Sequence, residues 1–248
     1  MSRMHSFSKP ANVVIVGSSG GIGSAFTVAL AADERVGQVF ALSRSPIETG
    51  TRPVTPLRIN IADEVSVAGA AARCAENGPI DLVIVATGIL HKGKDLQPEK
   101  RMQDLDAAVM EEVFRINTIG PAIVAKHFLP LMRRDRKSAF AAISARVGSI
   151  GDNRLGGWAS YRASKAALNM LVRTLSIEHA RSHPQSIVIA LHPGTTDTTL
   201  SKPFQRNVPR DKLFSPAFTA KKLLQVIDAL SSADTGGFFA WDGKPVEY

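Results

Sequence analysis

Residues Asn12 to Val16 read Asn-Val-Val-Ile-Val, and they run straight into Gly17-Ser18-Ser19-Gly20-Gly21-Ile22-Gly23 and then a helical segment, Ser24 to Ala31. A short, nearly continuous apolar run rich in β-branched residues is the pattern of a strand buried on both faces of a parallel sheet. Glycines between that strand and a helix permit a tight turn and let backbone N–H groups approach a pyrophosphate at the helix N-terminus. The spacing is G-x-x-x-G-x-G through Gly17, Gly21 and Gly23, with Ser19 and Ile22 also expected at the cofactor.

The same alternation continues along the chain. Gly37 to Arg44, Val54 to Ile61 (with Pro56), Ile80 to Ala86, Ser138 to Ser144, Gln185 to His192 and Gly236 to Trp241 read as further strands. Between them, Asp63 is placed to N-cap a helix ending near Glu76, and Ser215-Pro216 opens another that runs to Leu230. A long helix is expected from Asp104 to Met132, kinked where Pro121 follows Asn117 by four residues. The polar stretch Thr195 to Phe214 is long enough to be a lid. The expected fold is α/β, a single Rossmann-like domain over residues 1–248. Its core is one doubly wound parallel sheet of about seven strands flanked by helices.

Composition narrows the partners. The net charge of +8 comes from scattered residues; the densest groups, Arg133 to Lys137 and Lys221-Lys222, sit at helix ends, where cations suit the dipole. A nucleic-acid partner is therefore not expected, whereas a positive field suits a polyphosphate cofactor. Cys74 is the single cysteine, so no disulfide framework or cysteine-rich metal site is expected, and a reducing cytoplasm is. The first residues show no secretory pattern, and no apolar run approaches the roughly 20 residues of a membrane span. The chain is expected to be soluble, without a membrane or metal partner.

Ligands of open α/β sheets bind outside the carboxyl ends of the strands. Ser43/Arg44, Asn60/Ile61, Ala86/Thr87/Gly88, Ser144 and Pro193/Gly194 should face one crevice with the glycine turn. An acidic residue after the second strand would hold the ribose of NAD. Arg44 can instead bind a 2′-phosphate, which points to NADP. Tyr161 and Lys165 lie one helical turn apart on the segment Ala159 to Ala180, and a phenol beside an ammonium is a proton donor whose pKa is drawn down toward neutrality. A dinucleotide together with such an acid implies hydride transfer coupled to proton transfer at a carbonyl oxygen.

In order and spacing, Gly17-x-x-x-Gly21-x-Gly23, Asn117, the serine region of strand five, Tyr161-x-x-x-Lys165 and Pro193-Gly194-Thr195-Thr196-Asp197-Thr198 resemble the short-chain dehydrogenase/reductase family over essentially the whole chain. Arg146 to Asn153 and His192 to Thr198 are similar to its C-factor/sniffer-like branch. The resemblance implies that Tyr161 is the general acid or base and that Lys165 binds the nicotinamide ribose. It implies that Asn117 holds a water of a proton relay, and that Pro193, Gly194, Thr195, Thr196 and Thr198 contact the carboxamide and pyrophosphate. It also implies a homodimer or homotetramer acting on a small carbonyl or alcohol with NADP(H). The alternative is a C-factor-like signalling or regulatory protein that binds a dinucleotide with little turnover.

Three departures from the family pattern bear on these expectations. Val85-Ala86-Thr87-Gly88 stands where the family has Asn-Asn-Ala-Gly, and Asn60 stands where it commonly has Asp. The substrate-polarising serine lies three residues before a loop glycine in the family. Here that position is Ala145, three before Gly148, and the hydroxyl is at Ser144. A bulge could bring Ser144 inward, Ser149 could supply the donor, or the donor is missing. Ser144 is the expectation, with Ser144→Ala then cutting carbonyl reduction strongly. Around the site, His91 to Pro98, Gly148 to Trp158 and the lid would form the substrate pocket, where Trp158 and Phe204 suit an apolar carbonyl compound.

Overall fold

The β-branched run forms the centre of the fold. In a computed structural model, which describes residues 4–46 and 53–248, β1 (Ala11–Val16) is almost wholly buried. Its odd-numbered Val13 and Ile15 pack with Phe26 and Leu30 of α1 (Gly21–Ala31) and with Leu223 and Ile227 of α6 (Pro216–Ala229). The even-numbered Val14 and Val16 face the other layer, built from α2 (Glu64–Ala75), α4 (Gly120–Phe128) and α5 (Ala159–Ala180). Two-residue alternation between two apolar layers is what a strand covered on both faces requires.

The remaining strands are β2 (Val36–Ser43), β3 (Val54–Arg58), β4 (Leu82–Val85), β5 (Ser138–Ile143), β6 (Ser186–His192) and, after two short strands described below, β9 (Phe238–Ala240). They form a seven-stranded sheet in the order β3-β2-β1-β4-β5-β6-β9, parallel throughout. The chain winds outward from β1 to β3, then crosses back to β4, so the strand order reverses between β1 and β4. A crevice opens outside the carboxyl ends at such a reversal.

Capping follows the sequence expectation. Asp63 Oδ1 accepts from the N–H groups of Val65 and Ser66, and Ser215 Oγ from that of Phe218 with Pro216 in the first turn. β3 ends at Arg58, which leaves Asn60 and Ile61 in the turn beyond it. The expected helix from Asp104 to Met132 is instead four pieces: α3 (Ala107–Phe114), one π-helical turn (Arg115–Ile119), α4 and a 3₁₀ turn (Leu129–Leu131). Pro121 does not kink a continuous helix. It sits in the first turn of α4 and has no N–H to donate to the Asn117 carbonyl four residues back. The irregularity is taken up just before it, where the Gly120 N–H bonds to Arg115 O.

The stretch Thr195 to Phe214 is not a bare loop: β7 (Thr195–Thr196) pairs in parallel with β8 (Leu213–Phe214). The densest basic run has internal work. Arg133 Nε meets the buried Asp81 carboxylate at 2.7 Å, and Lys137 Nζ donates to the carbonyls of Ile227 and Asp228 at the end of α6. Among the described residues no helix is long and apolar enough to cross a membrane.

Candidate active site

Tyr161 and Lys165 lie in the first two turns of α5, and both are buried, at 9% and 3% exposure. Lys165 Nζ donates to Ile143 O at the end of β5 (2.9 Å) and lies 5.9 Å from the centre of the Tyr161 ring. The loop after β5 can approach α5 this closely because residue 148 is glycine: a Cβ there would stand 2.7 Å from Lys165 Cβ and 2.8 Å from its carbonyl carbon. Burial pushes the phenol up to about 12 and the ammonium down to about 8. The downward pull on the phenol expected from the sequence is thus reversed, because desolvation penalises the phenolate. At pH 7 Tyr161 is a neutral phenol, the form that can give a proton.

Asn117 is fully buried on the π turn. Its Oδ1 accepts from the Ile89 N–H (2.8 Å), and its Nδ2 donates to Ile89 O (2.9 Å) and to Ser164 Oγ (3.2 Å). Ser164 Oγ in turn donates to Tyr161 O at 2.8 Å. The amide therefore braces the extension of β4 against α5. Gly88 lies between these residues: a Cβ on it would be 3.4 Å from Asn117 Oδ1 and 3.6 Å from Lys165 Nζ. Sequence reading missed Ser164, although it sits inside Tyr161-Arg162-Ala163-Ser164-Lys165, one turn from the tyrosine.

Ser144 is held elsewhere than expected. The β5–β6 register runs unshifted to Ile143 and Leu191, and the Ser144 N–H continues it by donating to Leu191 O (2.8 Å), so no bulge turns the side chain inward. Ser144 shares a face with Phe140 and Ala142, beneath α5, and its Oγ donates to Asn169 Oδ1 at 2.7 Å in the core. Ala145, extended and partly exposed, takes the opposite side. Ser149 is also buried and accepts from the Asp152 N–H (3.1 Å), closing a turn. Asn169 gave one signal in the sequence, a polar residue one turn beyond Lys165 on the same helix face.

The residues beside the glycine turn fit a dinucleotide. α1 begins at Gly21 with no acidic residue in its first turn and no side-chain cap, which leaves its N–H groups open to an anion. On either side of β1, at the carboxyl ends of β2 and β4, the hydroxyls of Ser43 and Thr87 are buried without a hydrogen-bond partner among the described residues. Such orphaned groups cost about 1–3 kcal/mol each unless a ligand takes them up. Arg44 follows Ser43 and is exposed. Thr198 overlies the turn, its Cγ2 2.7 Å from where a Cβ on Gly21 would stand.

Other positions have local partners. Asn60 Oδ1 accepts from the Ala62 N–H, and Ile61 packs against Gly120. The Thr196 hydroxyl pairs with that of Thr219 on α6 (2.8 Å), away from Thr198. Gly194 is partly buried beside Phe214, Thr195 is partly buried opposite Leu213, and Pro193 is buried.

Comparison with known proteins identifies the family. A family model described as short chain dehydrogenase matches residues 11–209. The C-signal protein of Myxococcus xanthus is 33% identical over 172 residues, 69% of this chain and 94% of that protein. The 1-hydroxy-2-glutathionyl-2-methyl-3-butene dehydrogenase of Rhodococcus sp. (strain AD45) is 31% identical over 191 residues, covering 77% and 78% of the two chains. Among solved structures, NADPH-bound carbonyl reductase from chicken fatty liver superposes with a TM-score of 0.85 at 27% identity, over 98% of this chain and 97% of that one. The matched span reaches from β1 through the glycine turn and the Tyr161 helix to the segment after β6, and on that ground the chain belongs to the short-chain dehydrogenase family of oxidoreductases.

Proposed function

We propose that this protein is an NADP(H)-dependent carbonyl reductase or alcohol dehydrogenase in which Tyr161 exchanges the proton with the substrate oxygen. The observation that carries the reading is the buried, neutral phenol of Tyr161 one helical turn from Lys165, beside a crevice whose glycine turn and orphaned hydroxyls suit a dinucleotide. The nicotinamide cofactor supplies the hydride. The glycine turn would take the pyrophosphate, Ser43 and Arg44 the adenosine ribose and its 2′-phosphate, and Lys165 the nicotinamide ribose, with Thr87, Thr195 and Thr198 alongside. Tyr161 gives its proton to the oxygen of a bound carbonyl as charge builds there. Lys165 stabilises the phenolate that results, and Asn117, through its carbonyl, holds water from which the pair is reprotonated.

The deciding experiment titrates NADPH and NADH separately and then follows loss of reduced nicotinamide over a panel of aldehydes, ketones and quinones. Turnover with NADPH supports the reading. Tight NADPH binding without turnover on any carbonyl supports a dinucleotide-binding regulatory protein, a second reading favoured by the engagement of Ser144 and Ser149 in structural hydrogen bonds.

Two substitutions test parts of this assignment. Arg44→Ala removes a charge-assisted contact worth about 1.5–3 kcal/mol, so the NADPH dissociation constant should rise roughly 10- to 150-fold while that of NADH stays within about threefold. Equal changes for the two cofactors would remove Arg44 from the 2′-phosphate. Ser144→Ala leaves the Asn169 amide oxygen without its donor in the core. It should lower stability by about 1–3 kcal/mol in denaturant melts while turnover falls by less than about threefold. A loss of turnover of about 100-fold without loss of stability would return Ser144 to the chemistry.

A further inference from the structure

Trp158 immediately precedes α5 with φ 54° and ψ 41°, and it is the one non-glycine residue with positive φ among the described residues. Gly156 and Gly157 before it are left-handed too, at φ 63° and 64°, a conformation that glycine adopts freely and a bulky side chain resists. The backbone is held there from two sides. The Trp158 N–H donates to Glu99 O (2.6 Å), and the buried Glu99 carboxylate accepts from the N–H and hydroxyl of Ser160. From α5, Arg162 Nε donates to the carbonyls of Gly157 (2.9 Å) and Gly156 (3.2 Å).

This strain does not serve the core, because the Trp158 side chain is only partly buried. It places the indole edge-on to the Tyr161 ring (6.3 Å between centres) and to Phe204 (4.9 Å). Phe204 also meets the His91 ring at 5.8 Å, and the His91 Nε2 lies 3.1 Å from Thr199 O. The aromatic wall therefore joins three segments: the loop after β4, the approach to α5, and the stretch between β7 and β8. Backbone strain retained around a ring that faces the reacting group is a signature of function more than of packing.

We infer that Trp158 is the specificity-determining wall of the site and that its preferred substrate is a flat, apolar carbonyl compound such as an aromatic aldehyde or ketone. The inference rests on the reading of Tyr161 as proton donor. A carbonyl oxygen at the phenol puts the rest of the substrate within reach of the neighbouring indole, where an aromatic ring gains stacking and burial that a short aliphatic chain does not. The cost of the left-handed backbone is borne by the folded protein, so relieving it should separate stability from selectivity.

The test compares wild type, Trp158→Gly and Trp158→Phe, using 2-naphthaldehyde and propanal as probes. Turnover is measured with NADPH, binding of 2-naphthaldehyde to the cofactor-free protein by calorimetry, and stability by thermal melting. In Trp158→Gly the ratio of kcat/KM for 2-naphthaldehyde over propanal should fall at least about tenfold, with naphthaldehyde binding weakened and the melting temperature unchanged or raised. Trp158→Phe should restore most of the preference. Equal losses on both aldehydes, or a lowered melting temperature with the preference intact, would overturn the inference. If wild type reduces neither aldehyde yet binds 2-naphthaldehyde in a manner that Trp158→Gly abolishes, the proton-donor reading falls and the wall stands.

Discussion

Tyr161→Phe should lower kcat for carbonyl reduction by roughly 10²–10⁴-fold, the range expected when a positioned general acid is removed. Phenylalanine keeps the ring that packs edge-on to Trp158 and removes only the hydroxyl, so NADPH affinity should stay within about threefold and the melting temperature close to wild type. The pH dependence gives a second readout. Burial holds the phenol neutral up to about pH 12, so the proton to be donated is present across the working range. The buried ammonium is held down at about 8, so the charge that stabilises the nascent phenolate is full below that pH and lost above it. Wild-type kcat/KM for reduction should therefore be flat through pH 6 and 7 and decline above about 8. The residual rate of Tyr161→Phe should lose that decline. A Tyr161→Phe enzyme that reduces carbonyls at the wild-type rate would sink the proposed mechanism.

What the sequence made legible was set by local constraints, and what it hid was set by partners far away along the chain. The Val13 to Val16 run and the glycines after it could be read as strand, turn and helix, because burial on two faces and the backbone needs of a tight turn both act on adjacent residues. Asp63 and Ser215 were legible as caps for the same reason. Pro121 announced a broken ladder but not its form: only packing decides whether a proline bends a helix or starts one behind a π turn. The face of Ser144 follows from alternation with Phe140 and Ala142. Its role depends on Asn169, a residue 25 positions on, which the strand pattern cannot reveal. The direction of the Tyr161 shift was equally hidden. A phenol beside an ammonium in water is pulled down, and it took the burial of the phenol to reverse the sign. Nothing local to Gly156 and Gly157 shows a left-handed backbone continuing into Trp158.

Gly23→Ala should be the most damaging single methyl in the cofactor crevice. A Cβ at this position, in the first turn of α1, would stand 2.1 Å from Gly17 O, 2.8 Å from Gly17 C and 3.2 Å from Ser18 Cα. All three are backbone atoms, and they cannot rotate aside. Gly17 and Ser18 are moreover anchored to the end of β2, their N–H groups both donating to Leu42 O (2.8 and 3.0 Å), and the Gly20 N–H closes the turn onto Gly17 O (3.0 Å). Relief of the clash must open this turn, which displaces the N–H groups proposed to meet the pyrophosphate. Gly21→Ala is the internal control, since its new methyl would meet mainly the Thr198 side chain, 2.7 Å from Cγ2 and 3.2 Å from Cβ, where a rotamer change and a shift of a few tenths of an ångström suffice. Overpacking of about 1–3 kcal/mol corresponds to a rise in the NADPH dissociation constant of roughly 5- to 150-fold for Gly23→Ala, with a melting temperature lowered by about 2–10 °C. Gly21→Ala should stay within about tenfold of wild type by the same measure. Calorimetric titration with NADPH and thermal melting of both variants check this. If Gly23→Ala bound NADPH as tightly as wild type, the pyrophosphate could not sit on this turn, and the strand-end hydroxyls of Ser43 and Thr87 would need another ligand.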